Sequence, residues 1–143
     1  ELQFVDTNVL IYAHDKSAGA KHEQARTLVE DLWEAGNGCL SIQVLQEFYV
    51  NVTRKIAKPL DSETAKSIVA DLGQWVIHSP DVGDVLDAIV AQKKHGLSFW
   101  DAMIVVSAAR LACGVVWSED LNDGQEYDGV KVINPFKSAV EQK

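Results

Sequence analysis

The sequence predicts an α/β fold, a three-layer α/β/α sandwich around a central, mostly parallel sheet of about five strands. Short β-branched or apolar runs alternate along the chain with longer stretches in which apolar residues recur every three to four positions, a pattern typical of a parallel sheet covered by helices. The length of 143 residues lies within the usual range for one compact domain, and the sequence has no internal repeat or linker. We therefore expect residues 1–143 to form a single domain.

The strands and helices are predicted in alternation. The five strands are residues 2–5, 38–41, 75–78, 115–118 and 131–133. Six helices are predicted. The first begins near residue 8, and the other five span about 20–35, 43–56, 61–72, 82–95 and 99–112. The last helix is delimited most clearly, because Ser98 can cap its first turn and Gly114 can end it. The apolar face of the fifth helix consists of Val85, Leu86, Ile89 and Val90.

The composition is that of a soluble globular protein, with 47% hydrophobic and 24% charged residues. No apolar run approaches the roughly 20 residues that a membrane span requires. The chain opens on the apolar segment ELQFVD, which has none of the features of an export signal. We expect a cytoplasmic protein with no membrane partner.

Motifs of several common enzyme classes are absent from the sequence. It contains no GxGxxG, Walker A, nucleophile-elbow or CxxC motif, so dinucleotide-binding, P-loop, α/β-hydrolase and thioredoxin-like functions lose their usual support. The two cysteines, Cys39 and Cys113, stand at the ends of apolar stretches and are expected to be buried free thiols. Five aromatic residues are expected in the core or an interface, rather than as platforms for bases: Trp75, Phe99, Trp100, Trp117 and Phe136.

The net charge of −8 argues against a generally basic surface that binds nucleic acid. Basic residues are nevertheless grouped within residues 14–26, 54–58 and 93–95, and each group flanks an acidic residue. A basic rim around an acidic, metal-bound centre could hold a phosphodiester backbone while the remaining surface stays acidic. The alternative is that each basic group simply lies on an ordinary solvated helix face.

Four acidic residues lie where the predicted fold places one edge of the sheet. Asp6 directly follows the first strand, and Asp120 follows the fourth by two residues. Glu47 and Asp101 lie in the first turns of helices that begin near that edge. If the first and fourth strands are neighbours, the four carboxylates meet in the crevice at the carboxyl ends of the strands.

Such a cluster requires a cation, because two carboxylates about 4 Å apart repel by roughly 4 kcal/mol at an effective dielectric constant near 20. The sequence has no His or Cys at the spacing of a zinc site, and an all-oxygen site favours Mg²⁺ or Mn²⁺. Such an ion can activate water and stabilise the leaving oxyanion, which suffices to hydrolyse a phosphodiester. Three polar residues could support the acids or bind a ligand phosphate, with helix capping as the alternative: Thr7, Asn8 and Ser118.

Each acid also has a purely structural interpretation. Asp6 and Asp101 could complete helix caps, and Glu47 alone would be an ordinary solvated helix residue. Asp120 stands in the turn-rich segment SEDLNDG, where Asp123 is a reserve candidate for the fourth ligand.

The sequence resembles the PIN-domain ribonucleases, and in particular the VapC-type toxins of type II toxin–antitoxin systems. The likeness is carried by an ordered set of segments that covers nearly the whole chain: FVDTNVLIYAHD at 4–15, LQEF at 45–48, LSFWDAMIVVSAA at 97–109, VVWSEDLNDGQ at 115–125 and VINPF at 132–136. No one of these segments is specific by itself. The four acids match the metal-binding acids of the family in order, and Thr7, Asn8 and Ser118 match its supporting polar positions.

The resemblance implies a PIN-like fold and a Mg²⁺- or Mn²⁺-dependent endoribonuclease that cuts RNA and usually forms a homodimer. It further implies a cognate antitoxin that occupies the active site with a basic or peptide segment. Two alternatives remain open. A haloacid-dehalogenase-like phosphatase would use Asp6 as its nucleophile but expects a second Asp where Asn8 stands. A non-catalytic module would use the acids only to bind a basic partner.

Overall fold

The structure, a computed structural model, describes residues 1–137. Within them, six strands form one sheet: β1 (Gln3–Val5), β2 (Gly38–Ser41), β3 (Val76–His78), β4 (Val115–Trp117), β5 (Glu126–Tyr127) and β6 (Val130–Ile133). The strand order is β3-β2-β1-β4-β6-β5, and only β5 runs antiparallel to its neighbour. The adjacency of the first and fourth strands, which was a condition for the four acids to meet, is observed, because Val5 pairs with Trp117 across β1 and β4.

Six α-helices connect and flank the strands: α1 (Thr7–His14), α2 (Ala20–Ala35), α3 (Ile42–Arg54), α4 (Ser62–Leu72), α5 (Val82–His95) and α6 (Phe99–Arg110). A short 3-10 turn, Lys16–Ala18, separates α1 from α2. In one group α1 packs against α2 and α3, and in another α5 packs against α6, which lies on β2, β4 and β6. The predicted three-layer α/β/α fold with a mostly parallel sheet is confirmed.

The sheet has six strands rather than about five, because β5 was not predicted. This strand is only two residues long, so it shows no alternation of apolar and polar positions. It forms a tight hairpin with β6 through Asp128 and Gly129, both of which have positive φ angles. The Asp128-Gly129 dipeptide is the sequence signal that could have predicted this hairpin.

The strands supply the centre of the hydrophobic core. Phe4, Leu40, Val116 and Val132 are completely buried, and they lie on the four central strands. Around them, side chains from α1, α3 and α6 complete a contiguous cluster. Cys39 and Cys113 are buried free thiols, as predicted.

Helix α5 departs from its predicted packing. Its apolar residues Val85, Leu86, Ile89 and Val90 are exposed, whereas Ala88 and Ala91 are buried against α6. Small alanines let the two helices approach closely, so the larger side chains are left on the outer surface. Within residues 1–137, every helix is too short or too polar to traverse a lipid bilayer.

The topology creates a crevice at the carboxyl ends of β1 and β4. From β1 the chain moves outward through β2 to β3, and it later returns to the other side of β1 as β4. The strand order therefore reverses between β1 and β4, the point at which open α/β sheets bind ligands.

Candidate active site

A cavity of about 120 Å³ lies at this crevice and contains all four predicted acids. Its walls come from the end of β1, one face of α3, the first turns of α6 and the loop after β4. The lining residues are Asp6, Thr7, Asn8, Gln43, Glu47, Asn51, Trp100, Asp101, Ile104 and Asp120. The structure thus brings together residues that are up to 114 positions apart in the chain.

Asp6 is the most buried of the acids, with 5% of its surface exposed. Its backbone N–H donates to the Trp117 carbonyl at 3.0 Å, which continues the pairing of β1 with β4. One carboxylate oxygen accepts from the Thr7 N–H at 2.7 Å, and the other accepts from Ser118 Oγ at 2.8 Å. Asp6 therefore caps α1 while its carboxylate lines the cavity, so its structural and ligand roles are compatible.

Glu47 is joined to the end of β1 by Thr7. The Thr7 hydroxyl donates to Glu47 Oε1 at 2.7 Å, and the same oxygen lies 3.4 Å from Gln43 Nε2. Ser41 caps α3 by accepting from the Val44 N–H at 3.3 Å. These contacts hold the second turn of α3 against the crevice, so Glu47 is not an ordinary solvated residue.

Asp120 is held by Asn8, whose Nδ2 donates to Asp120 Oδ2 at 2.6 Å. The preceding residue, Glu119, also holds this loop in place. Its carboxylate accepts from the Tyr12 hydroxyl at 3.1 Å and forms an ion pair with Lys21. The loop after β4 is therefore tied to both α1 and α2.

Asp123, the reserve candidate for the fourth acid, lies outside the cavity. Its Oδ1 accepts from the Asn134 N–H at 2.7 Å, and its Oδ2 lies 3.7 Å from Lys137 Nζ. These contacts tie the loop after β4 to the segment that follows β6.

Asp101 enters the cavity from the first turn of α6. Ser98 caps this helix by accepting from the Asp101 N–H at 3.1 Å, as predicted. The N-terminus of a helix favours negative charge, which partly offsets the repulsion between Asp101 and the other acids.

Burial and mutual repulsion oppose ionisation in the cavity. The pKa of Asp6 is raised to about 7, with burial as the largest cause; the hydrogen bonds from Ser118 and Thr7 act against this increase, and the charges of Asp120 and Asp101 add to it. Burial also raises the pKa of Asp101, with Asp120 as a second cause. A bound cation would reverse both effects, because it favours the ionised carboxylates.

The donor chemistry of the cavity fits a hard divalent cation. Its four carboxylates and neighbouring amide and hydroxyl oxygens are the ligands that Mg²⁺ and Mn²⁺ prefer. Within residues 1–137, no three Asp, Glu, His or Cys side chains already stand in the arrangement of a metal site. The carboxylates of Asp6, Glu47 and Asp120 instead accept hydrogen bonds from neighbouring side chains.

Sequence reasoning did not identify four lining residues: Gln43, Asn51, Trp100 and Ile104. A signal for the first two was available, since they lie four positions before and after Glu47 and therefore on the same helix face. Within the described residues, the lining of the cavity contains no Lys, Arg or His, so the basic groups noted in the sequence do not line it. Lys94 and His95 line a different cavity of about 280 Å³.

Comparisons with known proteins agree with this architecture. The family model of the PIN domain matches residues 4–124. No protein of curated function matches the chain. A toxin–antitoxin complex from Klebsiella pneumoniae superposes with a TM-score of 0.69 at 17% sequence identity, over 94% of this chain and 98% of the other.

Two further solved structures show the same fold. VapC20 from Mycobacterium tuberculosis, described as a toxin that cleaves the sarcin–ricin loop, gives a TM-score of 0.60 at 17% identity, over 82% of this chain and 89% of its own. VapBC2 from Rickettsia felis, bound to a promoter DNA fragment, gives a TM-score of 0.62 at 16% identity, over 92% of this chain and 97% of its own. The family-model match spans most of the sequence and includes all four acids, and the chain therefore belongs to the PIN domain family.

Proposed function

We propose that this protein is a Mg²⁺- or Mn²⁺-dependent endoribonuclease, the toxin of a VapBC-type toxin–antitoxin pair. The observation that carries the proposal is the convergence of Asp6, Glu47, Asp101 and Asp120 in one cavity at the switch point of the sheet. Membership of the PIN domain family and the likeness to toxin structures support it.

The four acids would be the metal ligands, and their neighbours would orient them. Mg²⁺ or Mn²⁺, when bound, supplies positive charge to a phosphate oxygen and lowers the pKa of a water molecule that attacks phosphorus. Because burial raises the pKa of Asp6 and Asp101, a bound ion would favour the ionised form of both carboxylates. Thr7, Asn8 and Ser118 hold Glu47, Asp120 and Asp6 respectively, so each aligns a different carboxylate.

The antitoxin is proposed to bind an apolar groove between α3 and α4. This groove has a volume of about 470 Å³ and is lined mainly by Ile42, Leu45, Tyr49, Val50 and Val69. It suits the apolar face of an amphipathic helix. Because α3 also carries Glu47, a bound segment could continue to the acidic cavity, where a basic side chain would be attracted.

A homodimer is proposed through the exposed face of α5. Val82, Leu86 and Val90 lie at helical spacing along this face and are 76%, 58% and 65% exposed. An apolar stripe of this kind pairs readily with its own copy across a two-fold axis.

Incubation of the purified protein with structured RNA, with and without Mn²⁺, tests the nuclease assignment. We expect internal cleavage that requires the metal and is abolished by chelation. Turnover of a phosphomonoester with a trapped aspartyl-phosphate would instead favour a haloacid-dehalogenase-like phosphatase. If calorimetry detects no metal affinity and the protein cleaves no RNA, the result would indicate a non-catalytic module.

A further inference from the structure

We propose that Trp100 forms a nucleobase subsite beside the acidic cavity and stacks on an unpaired base next to the cleaved phosphate. This inference rests on the proposed ribonuclease function and specifies the substrate class, RNA in which a nucleotide at the cleavage position is single-stranded. Neither the aromatic side chain nor its position was expected to serve this purpose from the sequence.

The position of Trp100 is the first argument. It is the second residue of α6, immediately before Asp101, and it lines the same cavity as the four acids. Its surface is 61% exposed, although a tryptophan loses favourable burial energy when it faces water. A large aromatic surface is therefore available within one residue of a proposed metal ligand.

The contacts of Trp100 provide the second argument, because they hold it in place. Its ring packs edge-to-face against Phe99, with centroids 5.1 Å apart and planes at 77°. Its backbone carbonyl lies 3.4 Å from Gln43 Nε2, which joins the start of α6 to α3. The backbone contact fixes the first turn of α6 and the Phe99 contact limits the positions of the ring, so a base can stack on it at a lower cost in conformational entropy.

The other tryptophans are already engaged. Trp33 and Trp75 pack against each other with ring centroids 5.6 Å apart. The Trp117 Nε1–H donates to Gln3 Oε1 at 2.7 Å. Neither arrangement lies at the acidic cavity, so Trp100 alone among the four can contact a ligand there.

The charge of the cavity provides the third argument. Its lining within the described residues is acidic and contains no basic side chain, so phosphates gain little attraction from it apart from that of a bound cation. A nucleobase is uncharged and is not repelled by the carboxylates. Stacking on an aromatic side chain therefore supplies affinity that local electrostatics does not, and it requires a base that is free of its pairing partner.

The test compares Trp100→Ala with Trp100→Phe on an RNA hairpin in which the wild-type cleavage site has been mapped. We expect Trp100→Ala to raise KM roughly 5- to 100-fold, the usual range when one stacking side chain is removed, with a much smaller change in kcat. Trp100→Phe should keep most of the affinity, since it retains an aromatic face. Size-exclusion chromatography with light scattering should give the wild-type mass for both variants.

A matched pair of substrates separates stacking from a structural role. In these hairpins the base on the 5′ or the 3′ side of the cleaved bond is replaced by an abasic ribose. One of the two should weaken binding by the wild type but not by Trp100→Ala, because the partner of the missing base is already absent.

Equal KM values for Trp100→Ala and the wild type would overturn the subsite while leaving the nuclease assignment intact. A loss that is the same for intact and abasic RNA, or that accompanies a change in oligomeric mass, would also overturn it and indicate a folding or protein-interface role. Absence of metal-dependent cleavage by the wild type would reject both proposals.

Discussion

The Ser118 hydroxyl donates to Asp6 Oδ2 at 2.8 Å and at the same time accepts from the backbone N–H groups of Asp120 and Leu121, each at 3.2 Å. A hydroxyl has one donor and two acceptor sites, so this completely buried group is saturated. It joins the end of β1 to the loop after β4. One side chain thus links the segments that carry the first and fourth acids.

Replacing Ser118 with Ala should therefore affect both stability and metal binding. The change leaves a carboxylate oxygen and two N–H groups without this partner, which should lower the free energy of unfolding by about 1–3 kcal/mol. The affinity for Mn²⁺ should fall roughly 10- to 100-fold, as is usual when an outer-shell partner is lost. Urea denaturation and calorimetric titration measure the two effects.

The control for that variant is Ser67→Ala, which changes an exposed serine on α4. This variant should have the same free energy of unfolding and the same affinity for Mn²⁺ as the wild type, within error. If Ser118→Ala also binds Mn²⁺ normally, the hydroxyl does not position the acids.

Asp120 and Asp123 provide a matched test of the fourth ligand. Asp120→Asn should reduce metal-dependent cleavage at least about 10-fold, since it removes a charge from the cavity. Asp123→Asn should change cleavage less than about 3-fold, because this carboxylate faces Asn134 and Lys137 instead. The reverse ranking of rates would assign the fourth position to Asp123.

The metal-free protein should become less stable as the pH rises from about 4 to about 7. In the unfolded chain Asp6 ionises near the ordinary value of about 4, whereas burial keeps its folded pKa at about 7. The folded state therefore binds more protons in this window, and its free energy of unfolding decreases with pH. The raised pKa of Asp101 acts in the same direction.

Urea denaturation in EDTA across this pH range tests the effect. Asp6→Asn should flatten the dependence and be more stable than the wild type at pH 8. Saturating Mg²⁺ should stabilise the wild type above pH 7, because it binds the ionised form. An unchanged pH dependence in Asp6→Asn would show that Asp6 does not carry the effect.

The exposed face of α5 predicts self-association. Leu86→Glu places a charge in the middle of the stripe and should convert a dimer to a monomer in light scattering. Thr27→Glu adds the same charge to an exposed position of α2 and should leave the mass unchanged. A dimer that survives Leu86→Glu must use another surface.

Much of the fold could be predicted because its signals are local. Hydrophobic periodicity and caps such as Ser98 and Asp61 define five of the helices to within about two residues. The position of Asp6 at the end of a strand followed from the apolar run that directly precedes it. These features depend on neighbours in the chain.

Other features depend on packing that the sequence does not display. The exposure of Leu86 follows from the close contact of Ala88 and Ala91 with α6, and periodicity alone cannot show which face of α5 turns inward. Trp100 was expected in the core or an interface, because hydrophobicity predicts burial more often than exposure. Its place at the cavity depends on where the first turn of α6 meets α3.

The most direct test of the central claim is the rate of RNA cleavage as a function of Mn²⁺ concentration, measured for the wild type and Asp101→Asn. This substitution preserves shape and removes one charge from the cavity. We predict a saturable, metal-dependent rate for the wild type and a loss of at least about 100-fold in the variant, which should not be restored by more metal. Equal rates for the two proteins, or wild-type cleavage that persists in EDTA, would contradict the account.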